Sequence, residues 1–344
     1  MKVAVLKGVR SVVVEERPIP EIAAGEALVR VRAAGICGSD IHGFDGIWPD
    51  KRALGLIMGH ENSGEVVQVA GDVKTVRAGD RVVVNPQLAC GRCDECLQGS
   101  PNLCRNMKLI GSSSRGMRHG GFAEYLAMPE RNLHPLPENL SFEEGALFDP
   151  LGNAVHLMNR AEAKVGDRIA IFGAGTLGLC LLLVARNSGL GPILMTDVSP
   201  CRLEVARRLG ADRCIDVRSD DPVKAILEET KGQGVDIAVE AVGMKETYAQ
   251  CLSVVKRKGR LMALGNTAPE IGVALFRLVS WEISLIGCTG FGPVEIDRAL
   301  ALMSTGRIDA KPIITHRFPL DQVQAAFEAT GQKDSHLIKA FLLP

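Results

Sequence analysis

The strand-to-helix junction at residues 168–187 constrains this chain more than any other segment. An apolar run, RIAIFG, leads straight into Gly173, Ala174, Gly175, Thr176, Leu177 and Gly178, and an apolar helix pattern (LGLCLLLVARNSG) follows. Each glycine has a separate task. Gly173 permits a tight turn, Gly175 lets backbone N–H groups approach a pyrophosphate, and Gly178 allows the helix to pack closely on the strand, while Thr176 and Leu177 open a helix whose N-terminus favours phosphate. With 37 glycines in 344 residues, such a pattern needs context. Asp197 supplies it by ending the next strand about 20 residues on, where an acid meets the adenosine ribose hydroxyls. A carboxylate there repels a 2′-phosphate and favours NAD. Arg202 nearby keeps NADP open.

The surrounding pattern agrees with a dinucleotide-binding α/β unit. From about residue 155 strands and helices alternate, the signature of a doubly wound parallel sheet of Rossmann type. The expected strands are 168–173, 192–197, 213–217, 235–243, 259–265 and 283–287. Ser199 and Asp221 stand as N-caps, each followed by a proline at the first helical position, where no N–H is needed. Residues 1 to about 150 read differently. MKVAVLKG, SVVVEE, EALVRVRAAG, GEVVQVAG, DRVVVNP and AEYLAMP alternate or run β-branched between Gly and Pro turns, which predicts a β-rich unit. Beyond about 290 a helix (320–329) and a last strand (337–343) are expected.

Charge and cysteine usage narrow the function. Forty basic and forty acidic residues give a formal net charge of zero, so no long-range field draws a nucleic acid or an anionic membrane surface. The longest apolar run, Leu179 to Ala185, is far short of a membrane span, and Val3 to Leu6 is too short for a secretory signal core. These features predict a cytoplasmic protein. Cys90, Cys93, Cys96 and Cys104 cluster in CGRCDECLQGSPNLC. Two-residue gaps let successive thiolates turn around one ion, and four sulfurs satisfy tetrahedral zinc with no position left for substrate. The expectation is a closed, structural zinc site. An iron–sulfur or redox cluster is the alternative for an all-cysteine set. The scattered cysteines 180, 201, 214, 251 and 288 carry no assigned role.

A second ligand set lies further upstream. Cys37 in GICGSDIH and His60 in GHENSGE each stand beside a glycine, and together they offer two ligands for a zinc that keeps a position open. With the four-cysteine lobe, GGFAEY (120–125) and GAGTLG in order, the chain resembles the zinc-dependent medium-chain alcohol dehydrogenases along nearly its whole length. The resemblance implies a β-rich GroES-like catalytic domain at 1–154 and 291–344, with a dinucleotide-binding Rossmann domain at 155–290. It makes Cys37 and His60 ligands of a catalytic zinc. Asp149, in FDPLGNAVH, is the expected third ligand, where polyol and threonine dehydrogenases of the family carry an acid. Glu61 is the rival. Zinc with a thiolate, a neutral imidazole and one carboxylate is neutral, and a second carboxylate would blunt its acidifying power. Glu61 is therefore expected as a transient partner beside the metal.

The same resemblance implies a reaction. Zinc acidifies a substrate hydroxyl, the carbon gives hydride to the nicotinamide, and Ser39 and then His42 carry the proton to solvent. The motifs FDPLGNAVH, VNP and WEISLIG point toward the sorbitol, idonate and threonine dehydrogenase branch. A small-molecule secondary alcohol, a polyol or sugar derivative, is the expected substrate, with L-threonine as alternative. Arg115 or Arg118 is a candidate contact for a sugar acid. Tetramers or dimers of identical chains are expected, with two zincs and NAD per chain. Two other classes stand against this reading: a non-catalytic dinucleotide-binding protein, which would not need Cys37, His60 and an acid at 149, and a zinc-based redox sensor, which would not need a dinucleotide site.

Overall fold

The computed structural model describes residues 1–48, 50–331 and 336–344. The chain divides into two compact units, one of Met1–Asp149, Phe291–Gly306 and Ile314–Pro344, the other of Pro150–Gly290 and Arg307–Ile313. No helix of the described residues is long and apolar enough to cross a membrane.

The first unit is built around the ten-residue strand Glu26–Gly35, which is buried continuously at Ala27–Val29, alternates through Arg32 and is buried continuously again at Ala33–Gly35. It pairs antiparallel with Glu61–Val69, with Tyr125–Pro129 and, at its end, with Lys339–Leu343. This register matters for chemistry. Gly35 lies opposite Glu61 on one side and opposite Phe341 on the other, and Lys339 shares Phe341's face because side chains repeat every second residue. Three distant segments therefore converge at one glycine. Below them, Phe44 stacks on Phe327 at 4.8 Å and Phe122 meets the same ring edge-on at 6.1 Å, forming the apolar floor of the unit.

The second unit holds a six-stranded, all-parallel sheet: β1 Ile169–Phe172, β2 Ile193–Asp197, β3 Arg213–Asp216, β4 Val235–Glu240, β5 Val255–Ala263 and β6 Ser284–Gly287. Their order is β3-β2-β1-β4-β5-β6. Strand order reverses between β1 and β4, and in such sheets the crevice at that reversal takes the ligand. Both β1 and β4 are buried along their whole length, as strands covered on two faces must be. The helices Pro200–Arg208 and Pro222–Glu229 start at Ser199 and Asp221, whose side chains accept first-turn N–H groups. The tail is less simple than its sequence suggests: a 3-10 turn at Leu320–Gln322 precedes the helix Val323–Thr330, and the last strand begins at Lys339.

Candidate zinc and dinucleotide sites

Cys37, His60 and Glu61 bring one ligand atom each to within 4.8 Å of one another. Their placement follows from local structure. Cys37 is the N-cap of the short helix Gly38–Phe44, where its own N–H donates to Asp40 Oδ2 at 3.1 Å. His60 follows Gly59, whose φ of +90° suits glycine and whose missing Cβ makes room for the Phe122 ring. Glu61 opens the strand Glu61–Val69.

The charges around this group are arranged in pairs. Asp40 is fully buried, with Oδ1 3.6 Å from His60 Nδ1 and 3.4 Å from Arg52 Nη2. Burial would raise its pKa, but His60, Arg52 and the Cys37 N–H together hold it at about 2. Burial would likewise lower His60, yet Asp40 and Cys37 keep the imidazole's proton affinity well above its ordinary value. A carboxylate behind a ligating imidazole is the arrangement that orients metal-bound histidines. Lys339, 1% exposed, pairs with Glu61 Oε2 and donates to Ile36 O at 3.0 Å. The ion pair fits only because a Cβ at Gly35 would strike both partners.

Asp149 does not join the three-atom group. It sits in the first turn of the helix Phe148–Arg160, buried, with its carboxyl raised to about 7 chiefly by burial; Glu61 and Asp40 raise it further, while His60 and Lys339 oppose them. Asp149, expected on the metal, lies outside the group of atoms that gather, and Glu61, expected beside the metal, lies within it. The physical reason is the strand. Glu61 is fixed in register opposite Gly35, one residue from His60, whereas Asp149 is carried on a separate helix.

Around the group, Ser39 Oγ accepts from Arg52 Nη2 at 3.0 Å. His42 packs edge-on against Trp48 at 4.5 Å, and burial lowers its pKa, with Lys51 and Arg52 assisting and Asp45 opposing. Arg115 donates to Cys104 O at 2.8 Å and so braces the cysteine lobe, while Arg118 lies 3.8 Å from Glu26; neither contact involves the ligand group. Asp40, Arg52 and Lys339 were missed by sequence reasoning. Asp40 alone had a local signal, its capping-box spacing from Cys37.

Cys90, Cys93, Cys96 and Cys104 also gather within 4.8 Å. Cys93 Sγ lies 3.5 Å from Cys96 Sγ and 3.8 Å from Cys104 Sγ. Sulfurs at tetrahedral vertices around zinc, with bonds of about 2.3 Å, stand ~3.8 Å apart. The donor set fits structural zinc. Backbone N–H groups of Arg92 and Cys93, with Cys104 and Asn106, lower Cys90 to about 6, whereas burial and thiol neighbours raise Cys96 to about 12, a splitting that a shared cation would remove. Arg105 ties the lobe's short helix through Glu95 at 2.8 Å and Asp94 at 2.9 Å.

In the second unit the cradle after β1 is open where a ligand would approach. A Cβ at Gly175 would meet nothing within 4 Å, whereas one at Gly178 would collide with Gly173 O, and Gly173 has φ +105°. Thr176 and Leu177 open the helix Thr176–Asn187 from Gly175 as N-cap. Asp197 ends β2 with both oxygens engaged: Ala174 N donates at 2.7 Å and Ser199 N at 2.8 Å. Arg202, in the first turn of the following helix, has a buried Nε with no hydrogen-bond partner.

The alcohol dehydrogenase GroES-like domain model matches residues 23–138 and the zinc-binding dehydrogenase model residues 176–305. The chain is 33% identical to a sorbitol dehydrogenase of Bacillus subtilis (strain 168), covering 100% of this chain and 97% of the relative. An L-threonine 3-dehydrogenase of Alteromonas mediterranea is 31% identical, with 96% of each covered. A zinc-binding dehydrogenase from Sinorhizobium meliloti 1021, solved with NADP bound, superposes with a TM-score of 0.91 at 30% identity, covering 100% of this chain and 99% of that one. The chain belongs to the zinc-dependent medium-chain dehydrogenases and is a zinc-dependent oxidoreductase that works with a nicotinamide dinucleotide.

Proposed function

We propose that the protein oxidises a secondary hydroxyl of a polyol or sugar derivative with NAD. The carrying observation is the group of half-buried Cys37 with buried His60 and Glu61, with a further carboxyl, Asp149, close enough to share its field. Cys37, His60 and Glu61 would hold the zinc, which when bound supplies the Lewis acidity that makes an alcohol hydroxyl acidic near neutral pH. The carboxyls give a hydroxyl-rich substrate acceptors for its remaining O–H groups. Asp40 faces the His60 ring as its counter-charge. Ser39 takes the hydroxyl proton while its own moves on, and His42, half-buried with a lowered pKa, delivers it to solvent. Gly173, Gly175, Thr176, Leu177 and Gly178 would cradle the dinucleotide, which accepts the hydride. Asp197 disfavours a 2′-phosphate by its charge, which supports NAD over NADP; the buried, unpaired Arg202 Nε is the feature that would favour NADP.

L-Threonine is the second reading. Asp149 and Glu61 would welcome its ammonium group, and a threonine dehydrogenase stands among the relatives. A panel of polyols, aldonates and L-threonine, each with NAD and with NADP, decides between them by the appearance of reduced cofactor. Polyol turnover with NAD is expected, and it should vanish in Cys37→Ser while the fold persists. Turnover confined to L-threonine would overturn the polyol assignment.

A further inference from the structure

Arg52 is a buried cation that the reaction so far leaves without a task. It is 4% exposed, and its stem lies against Gly43, where a Cβ would clash with Arg52's Cβ and Cγ. Nη2 donates to Ser39 Oγ at 3.0 Å and to Asp40 Oδ1 at 3.4 Å, and Nη1 donates to Lys51 O at 3.1 Å. Nε is buried with no hydrogen-bond partner. An unmet buried donor on a charged group is costly, so its retention points to a purpose other than stability.

We propose that Arg52 is a positioning residue for proton transfer, acting through the Ser39 hydroxyl; the inference rests on the relay role given to Ser39 above. A hydroxyl has one proton and two lone pairs. The guanidinium can only donate, so its bond to Oγ occupies one lone pair. The other lone pair is left for the substrate's proton. As that Oγ–H bond forms and the substrate O–H breaks, the original Oγ–H breaks toward the next acceptor on the way to His42, and no net charge stays on Ser39. The adjacent positive charge favours early loss of the outgoing proton. Asp40 Oδ1 on Nη2 and Lys51 O on Nη1 anchor the guanidinium that makes this geometry repeatable.

A double-mutant cycle on the zinc-loaded chain tests the idea, using Arg52→Met, Ser39→Ala and the pair, with kcat measured in H2O and D2O and zinc content measured alongside. Arg52→Met should lower kcat on the order of 10- to 100-fold and raise the solvent isotope effect, with zinc content unchanged. In the Ser39→Ala background it should cost less than about 2-fold more. Effects that multiply, or loss of one zinc in Arg52→Met, would overturn the proposal. An unchanged kcat in Ser39→Ala alone would instead overturn the relay itself. Should Arg52→Met fail to fold, Arg52→Lys enters the same cycle; its ammonium reaches fewer partners, and its kcat should fall between the native chain and Ser39→Ala.

Discussion

Lys339→Met removes the cation from one of the two most buried ion pairs among the described residues of the first unit. Lys339 and Glu61 are 1% and 2% exposed, so the variant leaves a carboxylate without water and without its partner, and Ile36 O loses its donor as well. Breaking one side of a buried pair costs about 3–5 kcal/mol. For a unit of this size a loss near 4 kcal/mol lowers the melting temperature by roughly 10 °C. Zinc changes the sum. If Glu61 binds the metal, the ion's charge replaces that of Lys339, and about half of the penalty, ~2 kcal/mol, is recovered on loading. Linkage requires that a variant less damaged in the loaded form binds the ion more tightly, here by about 30-fold. Thermal unfolding of the zinc-free and zinc-loaded forms, with chelator competition for the more weakly held ion, measures both quantities. Equal destabilisation in the two forms, or unchanged zinc affinity, would refute the view that Lys339 and the metal compete for Glu61.

Three further outcomes follow from the other sites. Cys93→Ser should remove one zinc per chain and open residues 87–109 to protease, because the lobe is held by four thiols and a few exposed ion pairs; a full metal complement would contradict a closed four-sulfur site. Asp197→Ala strips the acceptor from the Ala174 and Ser199 N–H groups, which should cost about 3 kcal/mol in denaturant unfolding and cut the NAD over NADP preference in kcat/KM at least ~10-fold. An unchanged cofactor ratio would remove Asp197 from that choice. Gly178→Ala drives a methyl into Gly173 O, so dinucleotide binding followed by fluorescence should weaken by ~10-fold or more, and retained affinity would refute the tight-packing role of that glycine.

What the sequence made legible was local. The turn at Gly173, the acid at the end of β2, the proline-marked helix starts and the four-cysteine spacing each depend on residues a few positions apart, and each reads directly from period and composition. What was not legible depends on long-range contacts. The motif GHENSGE shows no strand register by itself, yet Glu61 is the first residue of a strand paired to Gly35. That pairing fixes the Glu61 carboxylate in the ligand group. Charge counting on local motifs then judged a second carboxylate surplus, since it saw the acids and not the lysine 278 residues away that faces one of them. With Lys339 included, zinc, one thiolate, two carboxylates and one ammonium again sum to zero. The objection to Glu61 was a missing cation, and only the strand register of the last segment supplies it.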